Sequence, residues 1–151
     1  MSVELLGGRI LVDTNVLIYA TLRNDTRFEQ ANIVLERRRE EGARLCVSVQ
    51  NLAEMYPNLT GPKNDPPDSP EVARAKIDSI AGLDRLTVVP VGVNVVRRAL
   101  RLCERYSVRR QQYFDMQLAA TMLEEGIETI VTENSKDFEA VDGIRAINPF
   151  L

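Results

Sequence analysis

Four acidic residues stand beside apolar runs of the sequence in a pattern that suits chemistry. They are Asp13, Glu54, Asp115 and Asp137. The stretch RILVDTNVLIYA, residues 9–20, shows the pattern best, because a carboxylate and two further polar side chains interrupt an apolar segment. Carboxylates about 4 Å apart repel by roughly 4 kcal/mol per pair at an effective dielectric constant of 20, so a cluster needs protons or a divalent cation. Oxygen ligands suit Mg²⁺ or Mn²⁺, and such a cation can bind a phosphate oxygen and activate water.

Each acid also has a purely structural interpretation. Asp13 is suited to cap a helix that follows it, and Asp115 to favour a helix N-terminus through the helix dipole. Glu54 is equally acceptable as a solvated helix residue, and Asp137 as a turn residue. A shared site is favoured because all four are predicted at one end of one sheet.

The sequence of 151 residues has no histidine and only two cysteines. This composition excludes Ser-His-Asp and Cys-His catalysis, and also zinc sites built on His or on several Cys. We expect Cys46 and Cys103 to be reduced thiols in the core. The formal net charge is -3, and the four candidate acids contribute -4, so the rest of the chain is nearly neutral. The charge therefore argues only weakly against a nucleic-acid partner.

Alternating strand and helix patterns must position these acids. Apolar runs predict five strands, at 9–13, 44–49, 86–91, 128–132 and 144–147, with helices between them. We predict one domain over residues 1–151, of the α/β class, with a mainly parallel sheet covered by helices on both faces. Ligands of such sheets bind at the carboxyl ends of the strands.

Three local features give sharper structural predictions. Thr26 and Glu29 fit a capping box at the start of a helix. Pro57 is expected to end the helix that begins near residue 50. Residues 57–70, which are rich in proline, are expected to form an exposed loop that borders Glu54.

No run of about 18 apolar residues is present, as a membrane-spanning helix requires. The segment MSVELLGGRILVD lacks the basic start and the small-residue cleavage site of a signal peptide. We therefore expect a cytoplasmic protein without a membrane partner.

Five segments together resemble the PIN-domain family, in particular the VapC-type toxins of bacterial toxin–antitoxin pairs. In order they are ILVDTNVLIYA, VSVQNLAEMY, YFDMQLAATMLEEG, IVTENSKDF and INPF, and they cover nearly the whole chain. The resemblance implies a three-layer α/β/α fold around a parallel five-stranded sheet. It also implies an Mg²⁺- or Mn²⁺-dependent endoribonuclease, which cleaves RNA to leave a 5′-phosphate and a 3′-hydroxyl.

Carried over by position, the family's acidic cluster falls on Asp13, Glu54 and Asp115, with a fourth member in residues 132–138. The family often has Asp where this chain has Asn134. We expect Asp137 to supply the fourth acid, with Asn134 as its polar neighbour. Further polar side chains are expected to orient the carboxylates or water, namely Thr14, Asn15, Ser48, Thr132 and Asn134.

The resemblance also implies partners beyond the RNA substrate. We expect a cognate antitoxin protein and a homodimer, to which the apolar helix near residues 16–20 could contribute. Arg109 and Arg110, which closely precede Asp115, are the candidates for RNA phosphate contacts. Because Asn134 brings no charge, the alternative is a catalytically weak or inactive PIN-fold module that binds RNA or regulates.

Overall fold

The computed structural model describes residues 8–151. Within them lie five strands: β1 (Gly8–Val12), β2 (Ala43–Ser48), β3 (Leu86–Val89), β4 (Thr129–Val131) and β5 (Arg145–Ile147). The α-helices are α1 (Thr14–Tyr19), α2 (Phe28–Glu36), α3 (Val49–Thr60), α4 (Pro70–Ala81), α5 (Val93–Tyr106) and α6 (Tyr113–Glu125). Short 3₁₀ turns cover Arg37–Arg39, Arg110–Gln112 and Ser135–Asp137.

The five strands form one sheet in the order β3-β2-β1-β4-β5, and every pairing is parallel. From β1 the chain moves to β2 and β3 on one side, and it then returns to β4 and β5 on the other. This reversal creates a switch point between β1 and β4, where open α/β sheets bind their ligands. The backbone N–H of Asp13 donates to the carbonyl of Val131 at 3.0 Å, so Asp13 lies at the switch point.

Helices cover both faces of the sheet, which confirms the predicted three-layer α/β/α architecture. Ile10 and Val12 of β1 face a core built with α1, α2, α3 and α4. Leu11 of β1 and Cys46 of β2 face a second core built with α5 and α6. Both cysteines are free thiols, although only Cys46 is fully buried. The apolar strand cores therefore fix the sheet, and the polar residues after them emerge at its edge.

Two predicted helix boundaries are wrong. Helix α3 continues through Pro57 to Thr60. Pro57 and Ala53, whose carbonyl loses its helical partner, both lie on the exposed face, where water can satisfy that carbonyl. The predicted capping box at Thr26 does not form, because α2 begins at Phe28 without a side-chain cap.

Helix α1 is only partly covered by its own chain. The side chains of Val16 and Leu17 are fully buried in the core, whereas Ile18, Tyr19 and Ala20 are half-buried. The contribution of residues 16–20 to a dimer therefore stays a prediction. Helix α4 is capped by Ser69, whose hydroxyl accepts the N–H of Val72 at 3.2 Å. Among residues 8–151, none of the helices has the length and apolar character needed to cross a membrane.

Candidate active site

Asp13 follows β1 directly and is held by hydrogen bonds to both of its carboxylate oxygens. Oδ1 accepts the N–H of Thr14 at 2.7 Å, so Asp13 caps α1 as its structural interpretation predicted. Oδ2 accepts the hydroxyl of Thr132 at 2.7 Å, from the end of β4. Burial raises the pKa of Asp13, the bonds from Thr132 and Thr14 lower it in part, and the charge of Asp137 raises it further.

Asn51 fixes the far side of Asp13, and sequence reasoning missed it. Its Oδ1 accepts the N–H of Ser48 at 2.9 Å, while its Nδ2 donates to Thr14 at 3.1 Å and to Asp13 at 3.3 Å. Ser48 was expected to orient a carboxylate, but its hydroxyl accepts the N–H of Gln50 at 3.0 Å and caps α3. The Ser-x-x-Asn spacing was the available signal, because it allows a reciprocal cap.

Glu54 lies on α3 and is oriented by a chain of uncharged side chains that begins on α6. The hydroxyl of Tyr113 donates to Gln117, Gln117 donates to Gln50, and Gln50 donates to Glu54, each at 2.9 Å. We call Tyr113, Gln117 and Gln50 the amide chain. The pKa of Glu54 is raised by burial, lowered in part by the bond from Gln50, and raised further by the charge of Asp13.

Asp115 lies in the first turn of α6 and is half-buried. Burial, which has the largest effect, and the negative charges of Asp137, Asp13 and Glu54 together raise its pKa to about 7. A helix dipole alone would lower the pKa of an acid at this position. Burial and the neighbouring carboxylates therefore outweigh the dipole, and Asp115 is electrostatically part of the acidic group.

Asp137 and Asn134 both follow β4 but are placed differently. Asp137 is exposed at the end of its 3₁₀ turn, and its charge raises the pKa of Asp13 and of Asp115. Asn134 lines the cleft that contains these two acids, and its backbone N–H donates to Thr132 at 3.0 Å. Asp137 thus supplies charge from outside the cleft, whereas Asn134 occupies its wall.

Three of the four candidate acids meet in one cleft of about 460 Å³ at the carboxyl ends of the strands, and the fourth, Asp137, does not line it. Predicted residues in its wall are Asp13, Thr14, Asn15, Glu54, Asp115 and Asn134. Lys63 and Asn64 also line it, so the loop after α3 borders the cleft as we hypothesised. Arg109 and Arg110 are exposed and lie outside this wall, at the start of the turn that leads into α6.

A cluster at the rim of the cleft was missed from the sequence. The guanidinium of Arg27 donates to Asp25 at 2.9 Å, to the Tyr19 hydroxyl at 2.7 Å and to Glu133 at 2.8 Å. It also lies 3.8 Å from the centre of the Tyr19 ring. Asn15 accepts the N–H of Glu133 at 3.1 Å. The rim therefore ties α1 and the start of α2 to the segment after β4.

The carboxylate oxygens of this cleft are the type of ligand that a hard divalent cation binds. Asp13, Glu54 and Asp115 offer only oxygen ligands, and Asp115 accepts no hydrogen bond from residues 8–151. Among those same residues, no three Asp, Glu, Cys or His side chains lie close enough together to coordinate one metal ion directly. Mg²⁺ commonly keeps several waters and takes only one or two carboxylates directly, so its binding does not require a group of three.

The most informative comparisons are with solved toxin–antitoxin structures. The VapBC2 complex of Rickettsia felis, bound to a promoter DNA fragment, has a TM-score of 0.65 and 19% identity over 93% of this chain and 98% of that one. VapBC-1 of nontypeable Haemophilus influenzae has a TM-score of 0.67 and 16% identity over 95% and 100%. VapC20 of Mycobacterium tuberculosis, described as a toxin that cleaves the sarcin–ricin loop, has a TM-score of 0.63 and 18% identity over 80% and 86%.

The TM-scores of these three structures establish a shared fold. A search of curated protein sequences found no match. The family model of the PIN domain, however, matches residues 10–144, which is most of the sequence. By this match, and with the sheet order and acidic cleft described above, the chain belongs to the PIN-domain family.

Proposed function

We propose that this protein is an Mg²⁺- or Mn²⁺-dependent endoribonuclease and the toxin of a toxin–antitoxin pair. The observation that carries the proposal is the cleft at the β1–β4 switch point, where the charges of Asp13 and Glu54 help to raise the pKa of Asp115 to about 7. Such mutual repulsion favours a bound divalent cation. The solved neighbours support the toxin role, since one is described as a toxin that cleaves the sarcin–ricin loop.

Asp13, Glu54 and Asp115 are the residues that would hold the ion. When bound, the ion would polarise a phosphate and supply an activated water. Thr132 and Asn51 hold Asp13 from two directions, and the amide chain holds Glu54. These bonds fix the carboxylates of Asp13 and Glu54 before RNA binds, which limits the rearrangement needed for cleavage.

The test is cleavage of a mixed pool of structured RNAs by the pure protein with Mg²⁺, with Mn²⁺ and with EDTA. Asp13→Asn and Asp115→Asn serve as site variants, since each keeps the side-chain shape and removes the charge. We expect metal-dependent cleavage, and we expect both variants to lose more than the roughly 10–100-fold that is typical of outer-shell changes. Unchanged metal-dependent cleavage by Asp13→Asn would refute the assignment of the site.

A second candidate function is an RNA-binding or regulatory module with weak or no catalysis. It is favoured by Asn134, an uncharged residue in the wall of the cleft, and by the absence of a preformed three-acid cage among residues 8–151. It predicts RNA binding without turnover. In the same assay, cleavage gained by Asn134→Asp would identify a dead site, whereas clear turnover by the wild-type protein would exclude this function.

The proposed partners are an antitoxin and a second copy of the chain. Several solved neighbours are described as toxin–antitoxin complexes, which supports an antitoxin partner here. Since Val16 and Leu17 are buried, a contribution of α1 to the dimer would come from its half-buried residues, Ile18 and Tyr19. Sedimentation of the pure protein tests the dimer, and inhibition of RNA cleavage by the partner tests the antitoxin.

A further inference from the structure

A second charged cleft lies at the opposite end of the sheet, where the strands begin. Arg9 of β1 and Arg44 of β2 are register partners on neighbouring parallel strands, so their side chains emerge about 4.8 Å apart on one face. Arg85 immediately precedes β3, whose Leu86 pairs with Leu45 of β2. These three arginines line one cleft of about 530 Å³, which we call the arginine cleft.

The charge of this cleft is only partly balanced. Arg9 is paired with Glu125 at 3.7 Å, and Glu40, the one acid in the described lining, binds Arg37 at 2.6 Å. Arg44 and Arg85 are exposed, and neither forms an ion pair with any residue of the range 8–151. The guanidinium of Arg85 donates to the carbonyl of Arg39 at 3.3 Å, but neither Arg44 nor Arg85 has a carboxylate partner among residues 8–151. Two positive charges without a balancing carboxylate therefore lie at the mouth of the cleft.

Arg38 forms part of the same wall, but its guanidinium is already occupied by hydrogen bonds within the protein. It is 5% exposed, and its guanidinium binds the carbonyls of Leu35 and Asp84 and the carboxylate of Glu36. It thus serves the fold, and the binding capacity of the cleft rests on Arg44 and Arg85.

The arrangement has features of a site for an anion. Like charges on register partners of adjacent strands repel one another, and a bound anion removes that repulsion. Arg85 has a φ of +60°, a left-handed conformation that is unfavourable for a residue with a side chain and is concentrated at functional positions. All the basic residues of the cleft are arginines, whose planar fork matches two phosphate oxygens.

We propose that the arginine cleft binds the phosphodiester backbone of the RNA at a distance from the cutting site, an inference that rests on the proposed ribonuclease function. The cleft that contains Asp13, Glu54 and Asp115 repels a polyanion, and the whole chain has a net charge of -3. RNA affinity must therefore come from local basic surfaces. Arg9 and Asp13 are four residues apart on β1, about 13 Å along a strand. Only an RNA of several nucleotides reaches both clefts.

The test compares two double variants that remove the same charge. Arg44→Gln with Arg85→Gln removes the two guanidinium groups of the arginine cleft that form no ion pair with residues 8–151. Arg97→Gln with Arg101→Gln is the matched control, because these two arginines of α5 are also exposed and form no ion pair with residues 8–151. Binding of a fluorescently labelled stem-loop RNA is measured by anisotropy in EDTA over a series of salt concentrations.

We expect the arginine-cleft variant to lose about tenfold in RNA affinity at 0.1 M salt. Its slope of log affinity against log salt should become shallower by about 1.4, as two lost phosphate contacts at about 0.7 each predict for a single strand. The control should keep at least half of its affinity. Equal losses in the two double variants, or no loss in either, would overturn the proposal, since the effect would then be one of overall charge.

Two further measurements distinguish failure of the arginine-cleft proposal from failure of the proposed ribonuclease function, and RNA from a free phosphate as the ligand. Metal-dependent cleavage is measured in parallel, so an active enzyme whose RNA affinity ignores Arg44 and Arg85 would refute the second cleft while the proposed function stands. RNA affinity that depends on these arginines in a protein without cleavage would support the cleft alone. Pyrophosphate that stabilises the wild-type protein against heat, with unchanged RNA affinity in the variant, would assign the cleft to a free phosphate and overturn the RNA proposal.

Discussion

The hydroxyl of Thr132 donates to Oδ2 of Asp13 across 2.7 Å, although 119 residues of sequence separate the two. The bond joins the ends of β4 and β1, on either side of the switch point. Thr132 is fully buried and also accepts the N–H of Asn134. A single hydroxyl therefore couples the orientation of the central carboxylate to the position of the segment that follows β4.

We expect Thr132→Val to weaken Mg²⁺ activation of RNA cleavage by about 10-fold, because a partner of this kind typically contributes 10–100-fold to metal affinity. The measurement is the Mg²⁺ concentration that gives half-maximal cleavage. Thr121→Val is the matched control, since Thr121 is equally buried but its hydroxyl binds the carbonyl of Gln117 within α6. Similar shifts in both variants would show that loss of a buried hydroxyl, and not its contact with Asp13, is responsible.

Asp115→Asn is expected to stabilise the metal-free protein above neutral pH. The pKa of Asp115 is about 7 in the fold, against 3.8 for an unperturbed Asp, so between these values the folded state holds a proton that the unfolded state has lost. Stability of the wild type therefore falls as pH rises towards 7 and is level above it. After allowance for solvent screening, we expect a gain of about 1–2 kcal/mol, or about 3–6 °C in Tm.

The check is thermal unfolding in EDTA from pH 5.5 to 8.5. The difference in Tm between Asp115→Asn and wild type should grow up to about pH 7 and then stay constant. Glu139→Gln, a change at an exposed acid outside the cleft, should show no such trend. A constant difference across the whole range would contradict the raised pKa.

Asp137→Asn is expected to lower the pKa of Asp115, because the charge of Asp137 is the largest contribution to that shift after burial. The side-chain carboxyl of Asp115 can be titrated by NMR in both proteins. The pH profile of cleavage at limiting Mg²⁺ should move towards acid by the same amount. An unmoved carboxyl pKa would remove Asp137 from the acidic group.

Asn134→Asp tests the other candidate for the fourth acid. Asn134 lines the cleft, so a carboxylate there adds a charged oxygen ligand beside Asp13 and Asp115. We expect the Mg²⁺ concentration for half-maximal cleavage to fall several-fold. Asn58→Asp adds the same charge to another wall position, on α3, and serves as the control. If both variants respond equally, charge in the cleft is sufficient and residue 134 has no special place.

Arg27→Gln is expected to lower stability by about 1–2 kcal/mol, because Arg27 combines two ion pairs with stacking on Tyr19. It should also reduce cleavage, since Glu133 then loses one of its two side-chain bonds to the rim and keeps only the bond from the Tyr19 hydroxyl. Arg98→Gln is the control, as it breaks one exposed pair with Glu124 at 3.0 Å and should change stability by less than about 0.5 kcal/mol. Chemical denaturation provides the measurement, and equal effects would deny the rim a structural role.

The sequence was informative where apolar runs decide the structure, although two local signals, the capping box at Thr26 and the helix end at Pro57, were misleading. Apolar runs predicted all five strands, and polar residues directly after them, such as Asp13, led to the cleft. Pairings across long separations were not predictable in this way. Arg27 and Glu133 are 106 residues apart, and no periodicity brings them together. Ser48 illustrates a related error, because its residue type suits both a helix cap and a carboxylate partner, and only the packing of α3 selects the cap.

The amide chain also has a mechanical consequence. Tyr113, Gln117 and Gln50 connect the start of α6 to Glu54 on α3 through three successive hydrogen bonds. The three side chains carry no charge, so they position Glu54 without adding charge to the cleft. A ligand that shifts the turn at Arg110–Gln112, just ahead of Tyr113, would also move Glu54. Variants of this turn are therefore expected to change KM and kcat of the proposed ribonuclease together.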